Sequence, residues 1–330
     1  MIEGQNCRSE ADYLAANRAG RGRPFTQKMR AAVWRLYESY RQELAGKALL
    51  TWGQMTQLAL DEVMNGNFTR CWQYVVVDEA QDLTPTAARL CLELCERPQG
   101  FFLTADANQS LYNRGFRWKQ VHDSLQVRGR SRLLKRNYRS TREIALAAAQ
   151  IMQAAPEQDE ETIIQTTIHT GAPPVIYAAA GSEDQARWIA QHVYQAAREL
   201  RLPLNAAVVL VSSSSVGKPL AQALTAQGVP ARFMSSSQFN LNDPRLKVTT
   251  LHAAKGLEFP IVVMAHVEAG RLPRETSATD PEEVAAFWQN QRQLFYVGCT
   301  RAMRYLFITY DRQLPSPFLA DLTDDYWLRP

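Results

Sequence analysis

Residues before position 70 carry helical periodicity. Met29, Val33, Leu36, Tyr37, Tyr40 and Leu44 recur at steps of three and four, behind Pro24 and Thr26 and ahead of Gly46. This predicts one amphipathic helix with those residues on its apolar face. Trp52, Met55, Ala59 and Val63 predict a second, stopped by Asn65-Gly66. From residue 73 short apolar runs alternate with helical segments. The predicted strands are Tyr74–Val77, Phe101–Thr104, Arg132–Leu134, Val175–Ala178, Ala206–Val211, Val248–Leu251, Ile261–Ala265 and Tyr305–Thr309. Helix caps are expected at Thr84, Ser182 and Asp280. Continuous β-branched runs separated by helices point to parallel sheets covered on both faces. The alternation is too long for one small sheet, so two α/β domains are expected, joined within the polar basic stretch 119–132.

The length of 330 residues suits two domains of about 150 residues each. A hydrophobic share of 46% with 21% charged residues excludes a disordered or coiled-coil chain. No apolar run reaches the ~18–20 residues of a membrane helix, and MIEGQNCRSEADY has no secretory pattern. Cys7, Cys71, Cys91, Cys95 and Cys299 are scattered, which suits reduced thiols in the cytoplasm rather than a disulfide framework. The net charge of +4 is unevenly spread. Between Arg114 and Arg142 basic residues face a single acid, Asp123; so dense a block suits an anionic partner, nucleic acid or phosphate.

The strand Tyr74–Val77 runs into Asp78-Glu79-Ala80-Gln81-Asp82. Ligands of open α/β sheets sit outside the carboxyl ends of strands. Asp78 there could hold Mg²⁺, and Glu79 could orient and deprotonate an attacking water; a plain strand end before a helix cap fits the same residues. The strand Phe101–Thr104 ends in Ala105-Asp-Ala-Asn-Gln-Ser110, where Gln109 could sense a phosphate. Phe116 and Trp118 beside Arg114 and Arg117 suit base stacking, or equally a core pair beneath a loop.

These segments, followed by Lys135-Arg-Asn-Tyr-Arg-Ser-Thr141, by Val248-Thr-Thr-Leu-His-Ala-Ala-Lys-Gly-Leu-Glu-Phe259 and by Gln293-Leu-Phe-Tyr-Val-Gly-Cys-Thr-Arg-Ala-Met303, make an ordered set that resembles the UvrD/Rep family of superfamily 1 DNA helicases, over roughly residues 70 to 310. The resemblance implies two RecA-like α/β domains, the first incomplete, behind an N-terminal helical segment, with divisions at 1–70, 71–132 and 133–330. It implies ATP and Mg²⁺ as cofactors, single-stranded DNA as partner and 3′→5′ movement. Position by position, it makes Asp78 the metal ligand, Glu79 the general base and Gln109 the γ-phosphate sensor. Arg139 and Arg301 become the arginines that reach that phosphate. Glu258, after Gly256, becomes the ribose contact, and Tyr112, Phe116, Trp118, Thr250 and His252 become DNA contacts.

Two departures stand out. No Gly-rich loop ending Gly-Lys-Ser/Thr occurs in the 330 residues. Ser212-Ser-Ser-Ser-Val-Gly-Lys-Pro219 fails at both ends and is expected to be an ordinary strand-to-helix turn. Residues 234–247 leave room only for a loop where larger relatives carry an insertion subdomain. An N-terminally truncated helicase is therefore expected, its phosphate loop on a separate N-terminal segment. The alternative is a non-catalytic remnant that binds DNA or a partner. Asp78, Glu79, Gln109, Arg139, Glu258 and Arg301 occurring together speak against it, because an idle site gives no reason for all six.

Overall fold

The computed structural model of the chain describes residues 2–16, 26–69, 72–105, 132, 134, 136–153, 166–277 and 281–330. These form two compact units, the described parts of Met1–Arg132 with Ala278–Glu283 and of Leu133–Ser277 with Val284–Pro330.

The first unit contains α1 (Glu10–Ala15), α2 (Gln27–Gly46), α3 (Trp52–Met64), β1 (Val75–Val77), α4 (Pro85–Glu93) and β2 (Phe101–Leu103). Thr26, Thr51 and Thr84 cap α2, α3 and α4, their hydroxyls accepting from the N–H groups of Met29, Gln54 and Ala87. Both early helices form where the periodicity placed them, but the faces differ from expectation. In α2 Trp34 is buried, stacked on Tyr13 at 6.0 Å, with the expected Val33 and Tyr37 packed against the same cluster, while Met29, Leu36 and Tyr40 are exposed. In α3 Gln54, Gln57, Leu60 and Val63 are buried and Trp52 is 83% exposed. Gln54 completes a capping box with Thr51, and the Gln57 backbone carbonyl accepts from Arg8 at 3.1 Å.

β1 and β2 pair in parallel, Val75 opposite Phe101 and Val77 opposite Leu103. The two strands expose Tyr74 (69%), Val76 (70%) and Phe102 (52%), with the Tyr74 and Phe102 rings 6.4 Å apart. Parallel strands are normally covered on both faces. Limited proteolysis of the intact chain is therefore expected to cut within residues 1–118 first and to leave a resistant fragment starting near residue 133. First cuts inside 166–277 would contradict this.

The second unit contains β3 (Arg136–Thr141), α5 (Arg142–Gln153), β4 (Thr166–His169), β5 (Val175–Ala179), α6 (Ser182–Glu199), β6 (Ala207–Val211), α7 (Ser214–Ala226), β7 (Ala231–Phe233), β8 (Leu246–Thr250), β9 (Phe259–Met264), α8 (Pro281–Cys299) and β10 (Ala302–Asp311). Six strands make a parallel sheet in the order β5-β10-β9-β6-β8-β7, and β3 and β4 form a separate parallel pair. Ile189 and Val193 of α6 and Leu220 and Leu224 of α7 are buried in one cluster with Val209, Val211, Val248, Ile261 and Val263 of the sheet. Helix α8 approaches other sheet residues closely: a Cβ on Gly298 would fall 2.5 Å from Leu251 Cδ2 and 2.6 Å from Met264 Sδ. A larger residue at 298 would have to displace the Leu251 and Met264 side-chain ends.

Several expectations shift here. Arg132 and Leu134 lie outside any strand; the strand of that region is β3, whose polar sequence concealed it. Asn137 explains how so polar a run is held, its Oδ1 accepting from the N–H groups of Arg139 (2.9 Å) and Ser140 (3.3 Å). β4 and β7 were also not foreseen, being four and three residues long. Gly181 (φ 138°), not Ser182, precedes α6; Asp280 lies outside the described residues. Ser212 and Ser213 make the expected strand-to-helix connection, and Ser214 to Pro219 are the first turns of α7. Gly217 there meets no phosphate geometry of its own: its Cβ would fall 2.6 Å from the Phe233 ring, so it serves packing.

Candidate active site

In the first unit, β1 delivers Asp78 and Glu79 to its carboxyl end. Asp78 Oδ1 accepts from the Thr104 hydroxyl and from the Glu79 N–H at 2.9 Å. These bonds, Thr104 first, hold the Asp78 carboxyl below its ordinary value, so at neutral pH it is an exposed, ionised carboxylate. Thr104 itself is placed by the ladder, its N–H donating to Val77 O at 2.9 Å and its carbonyl accepting from Ala80 N at 2.9 Å. Glu79 has φ 52° and ψ 39°, a left-handed conformation that a non-glycine residue adopts at a cost of about 1–3 kcal/mol. The ladder bonds on either side impose it. A carboxylate pair of this kind fits Mg²⁺, which usually takes one or two protein carboxylates and completes its shell with water and phosphate oxygens. The 330 residues contain no Gly-Lys-Ser/Thr loop. Gln109, Tyr112, Phe116 and Trp118 lie outside the described residues.

In the second unit the other expected residues separate into two groups. Thr250 ends β8, and His252 follows it, both at the carboxyl edge of the sheet. Surrounding protein first, and the Arg274 charge second, hold the His252 imidazole below its ordinary value although much of its surface meets solvent. It is therefore neutral at pH 7, a hydrogen-bonding group rather than a counter-charge. Arg274 also donates to the Ser212 carbonyl at the end of β6. Nothing in the sequence around Arg274 signalled that reach, because the two positions meet only through the sheet.

Glu258 and Arg301 instead lie one residue before β9 and β10, at the amino edge. The Phe259 N–H donates to Arg301 O at 3.0 Å, which sets the two segments side by side. Gly256, with φ 78°, makes the turn that returns the chain to β9. Arg139, from β3, forms an ion pair with Glu258 through Nε and Oε1. Arg304 at the start of β10 donates to Arg139 O at 3.1 Å. Arg301 is only 2% exposed; its Nε donates to Val297 O at 3.1 Å and its Nη1 to Leu257 O at 3.5 Å. The structure thus gathers Arg139, Glu258 and Arg301 in one place and puts Thr250 and His252 at the opposite edge. Thr104, Asn137 and Arg304, which position these groups, were not singled out by their sequence. An Asn two residues before Arg139 was a readable signal for the turn that holds it.

Parallel strands with a carboxylate pair at the end of β1, and a six-stranded parallel sheet bearing an arginine–glutamate cluster at its amino edge, define a protein of the parallel α/β class. Comparison with known sequences refines this. The profile of the UvrD/REP helicase N-terminal domain matches residues 7–130, and that of the UvrD-like helicase C-terminal domain matches residues 133–243 and 236–313. The chain belongs to the UvrD-like helicase family. It is 26% identical over 249 residues to a probable DNA helicase of Mycoplasma pneumoniae, covering 73% of this chain and 44% of that protein. It is 41% identical over 87 residues to DNA helicase II of Haemophilus influenzae (23% of this chain, 11% of that protein) and 33% identical over 124 residues to the ATP-dependent DNA helicase Rep of Salmonella typhimurium (33% and 18%). The chain thus spans less than half the length of these relatives. A solved C-terminal domain of a possible DNA helicase from Lactobacillus plantarum is similar at 19% identity and a TM-score of 0.43, covering 58% of this chain and 98% of that domain. No helix among the described residues is long and apolar enough to cross a membrane.

Proposed function

We propose that this chain is part of an ATP-dependent DNA helicase or translocase, moving 3′→5′ on single-stranded DNA in the cytoplasm. The observation that carries the reading is Asp78, its carboxyl held below its ordinary value by hydrogen bonds, beside Glu79 in a left-handed conformation at the end of β1, in a chain that matches both helicase domains. Asp78 would hold Mg²⁺. Glu79 would take the proton of the attacking water, and Gln109 would sense the γ-phosphate. Arg139 and Arg301 would meet the phosphoryl charge, which spreads over several oxygens and suits planar guanidinium groups. Glu258 would accept from the ribose. ATP, when bound, supplies the phosphoryl group whose transfer to water drives movement. The phosphate loop would come from a polypeptide segment outside these 330 residues. The uncovered face of Tyr74, Val76 and Phe102 supports such a partner segment, since a parallel pair gains from further strands and a covering helix.

The basic block at 114–142 and Tyr112, Phe116 and Trp118 would form the strand path, with Thr250 and His252. Without ATP, single-stranded DNA is expected to bind weakly, with log affinity falling against log salt by about 0.7 per neutralised phosphate. Trp118→Ala is expected to cost about 1–3 kcal/mol, the worth of one base–aromatic stack. Fluorescence anisotropy across a salt series measures both; salt-independent binding, or unchanged affinity in Trp118→Ala, would refute this path. A second reading, a non-catalytic DNA- or partner-binding protein, is favoured by one observation, the absence of Gly-Lys-Ser/Thr from the sequence. ATP hydrolysis after restoring such a loop separates the two.

A further inference from the structure

Arg139 and Glu258 are partly exposed, at 38% and 36%, and already occupy each other. Both are fixed from behind. The Arg139 N–H donates to Asn137 Oδ1 at 2.9 Å and its carbonyl accepts from Arg304 at 3.1 Å. Glu258 stands between Leu257, whose carbonyl accepts from Arg301, and Phe259, whose N–H donates to Arg301 O. With both backbones held, the freedom left to the pair lies in side-chain torsions. An anion arriving at Arg139 therefore meets a guanidinium already neutralised by a carboxylate, and the two negative groups repel. Binding has to proceed by exchange rather than addition.

We infer that Glu258 is a positioning and specificity residue for Arg139. In the absence of nucleotide it holds the guanidinium extended and shields it from stray anions. A nucleotide displaces it from Arg139 with its phosphate and re-engages it with a ribose hydroxyl. Inorganic tripolyphosphate must break the same ion pair and offers the released carboxylate nothing. The pair thus makes the site prefer a nucleotide to a bare polyphosphate. This rests on the reading of Arg139 and Glu258 as nucleotide contacts.

The test is calorimetric titration of the full chain, at low ionic strength, with inorganic tripolyphosphate and separately with ATP. Removing the carboxylate in Glu258→Gln is expected to tighten tripolyphosphate about two- to five-fold, the worth of a partly exposed ion pair. ATP affinity is expected to stay level or fall, so the preference for ATP shrinks. Arg139→Gln is expected to weaken both ligands and to abolish the gain in the double variant. An unchanged preference in Glu258→Gln, or a gain that persists without Arg139, overturns the inference. Arg139→Gln weakening both ligands while Glu258→Gln changes neither defeats this inference alone; Arg139→Gln without effect on either ligand defeats the role proposed for Arg139 as well. Where affinities fall below calorimetric reach, a double-mutant cycle in thermal unfolding reads the pair. Coupling in buffer that disappears in excess tripolyphosphate is the expected result; no coupling, or coupling indifferent to tripolyphosphate, overturns it.

Discussion

Supplying a Gly-Lys-Ser/Thr loop, by fusion or as a second chain, is expected to convert a polypeptide without DNA-stimulated ATPase into one that hydrolyses ATP when single-stranded DNA is added. Asp78 and Glu79 can act only on a phosphate that is already bound, and a Gly-rich nest of N–H groups with its lysine is what binds one. In the restored enzyme Arg301→Ala is expected to lower kcat on the order of 10³-fold or more, as loss of an arginine finger does, and Glu79→Gln is expected to act on kcat more than on nucleotide binding. The placement of Arg301 demands a control. Its guanidinium is buried on the carbonyls of Val297 and Leu257, so truncation also strands polar groups in the interior. Arg301→Lys, which keeps the charge but not the planar fork, and the melting temperature of each variant separate the roles. A large loss of kcat at near-native melting temperature supports the phosphate role. Activity that falls only as far as stability does would reduce Arg301 to a structural residue. Robust hydrolysis by the 330-residue chain itself would reveal a phosphate site that its sequence does not display.

The second large effect is expected at Glu268, which no catalytic motif includes. It is buried with His266, Gln185 and Thr309 behind the carboxyl ends of β9 and β10. Its Oε1 accepts from Gln185 Nε2 at 2.8 Å and from the Asp311 N–H at 3.2 Å and lies 3.0 Å from His266 Nδ1, while Arg271 Nε reaches its Oε2 at 3.0 Å. Burial alone would raise its carboxyl, but the bonds from His266 and Gln185 and the Arg271 charge outweigh it and bring the value down to about 2. A carboxylate depressed on folding contributes stability that is fully present above its unfolded value near 4.5 and is lost as pH falls through about 2. The contribution at neutral pH is about 3 kcal/mol. Glu268→Ala is expected to destabilise the second unit by about 3–5 kcal/mol, the usual result of removing one partner from a buried charged network. It should also flatten the acid limb of the stability curve. Urea unfolding between pH 2 and 7 measures both, and a variant with native stability and an unchanged acid limb would show that the network carries no such load.

The chain alone disclosed the fold class and the family, for identifiable reasons. Strands of parallel sheets are continuous apolar runs, so β1, β2, β5, β6, β8, β9 and β10 announced themselves within a few residues of their observed ends. The family's motifs keep particular side chains at fixed spacing, so Asp78-Glu79, Asn137-Tyr-Arg139 and Leu257-Glu258-Phe259 could be read in order. What stayed hidden depends on partners far away in the chain. β3 is polar because an asparagine turn and Arg304, rather than apolar burial, hold it. The inward faces of α2 and α3 meet residues distant in the chain: Tyr13 stacks on Trp34 of α2, and Arg8 donates to the Gln57 carbonyl and to Asp61 of α3. The ion pair of Arg139 with Glu258 and the burial of Arg301 could not be read from spacing, since no local pattern encodes which loop ends a parallel sheet brings together. Tertiary structure made those choices, because in a parallel sheet each crossover carries the chain to a new neighbour, and only the strand order β5-β10-β9-β6-β8-β7 determines which side chains meet at its edges.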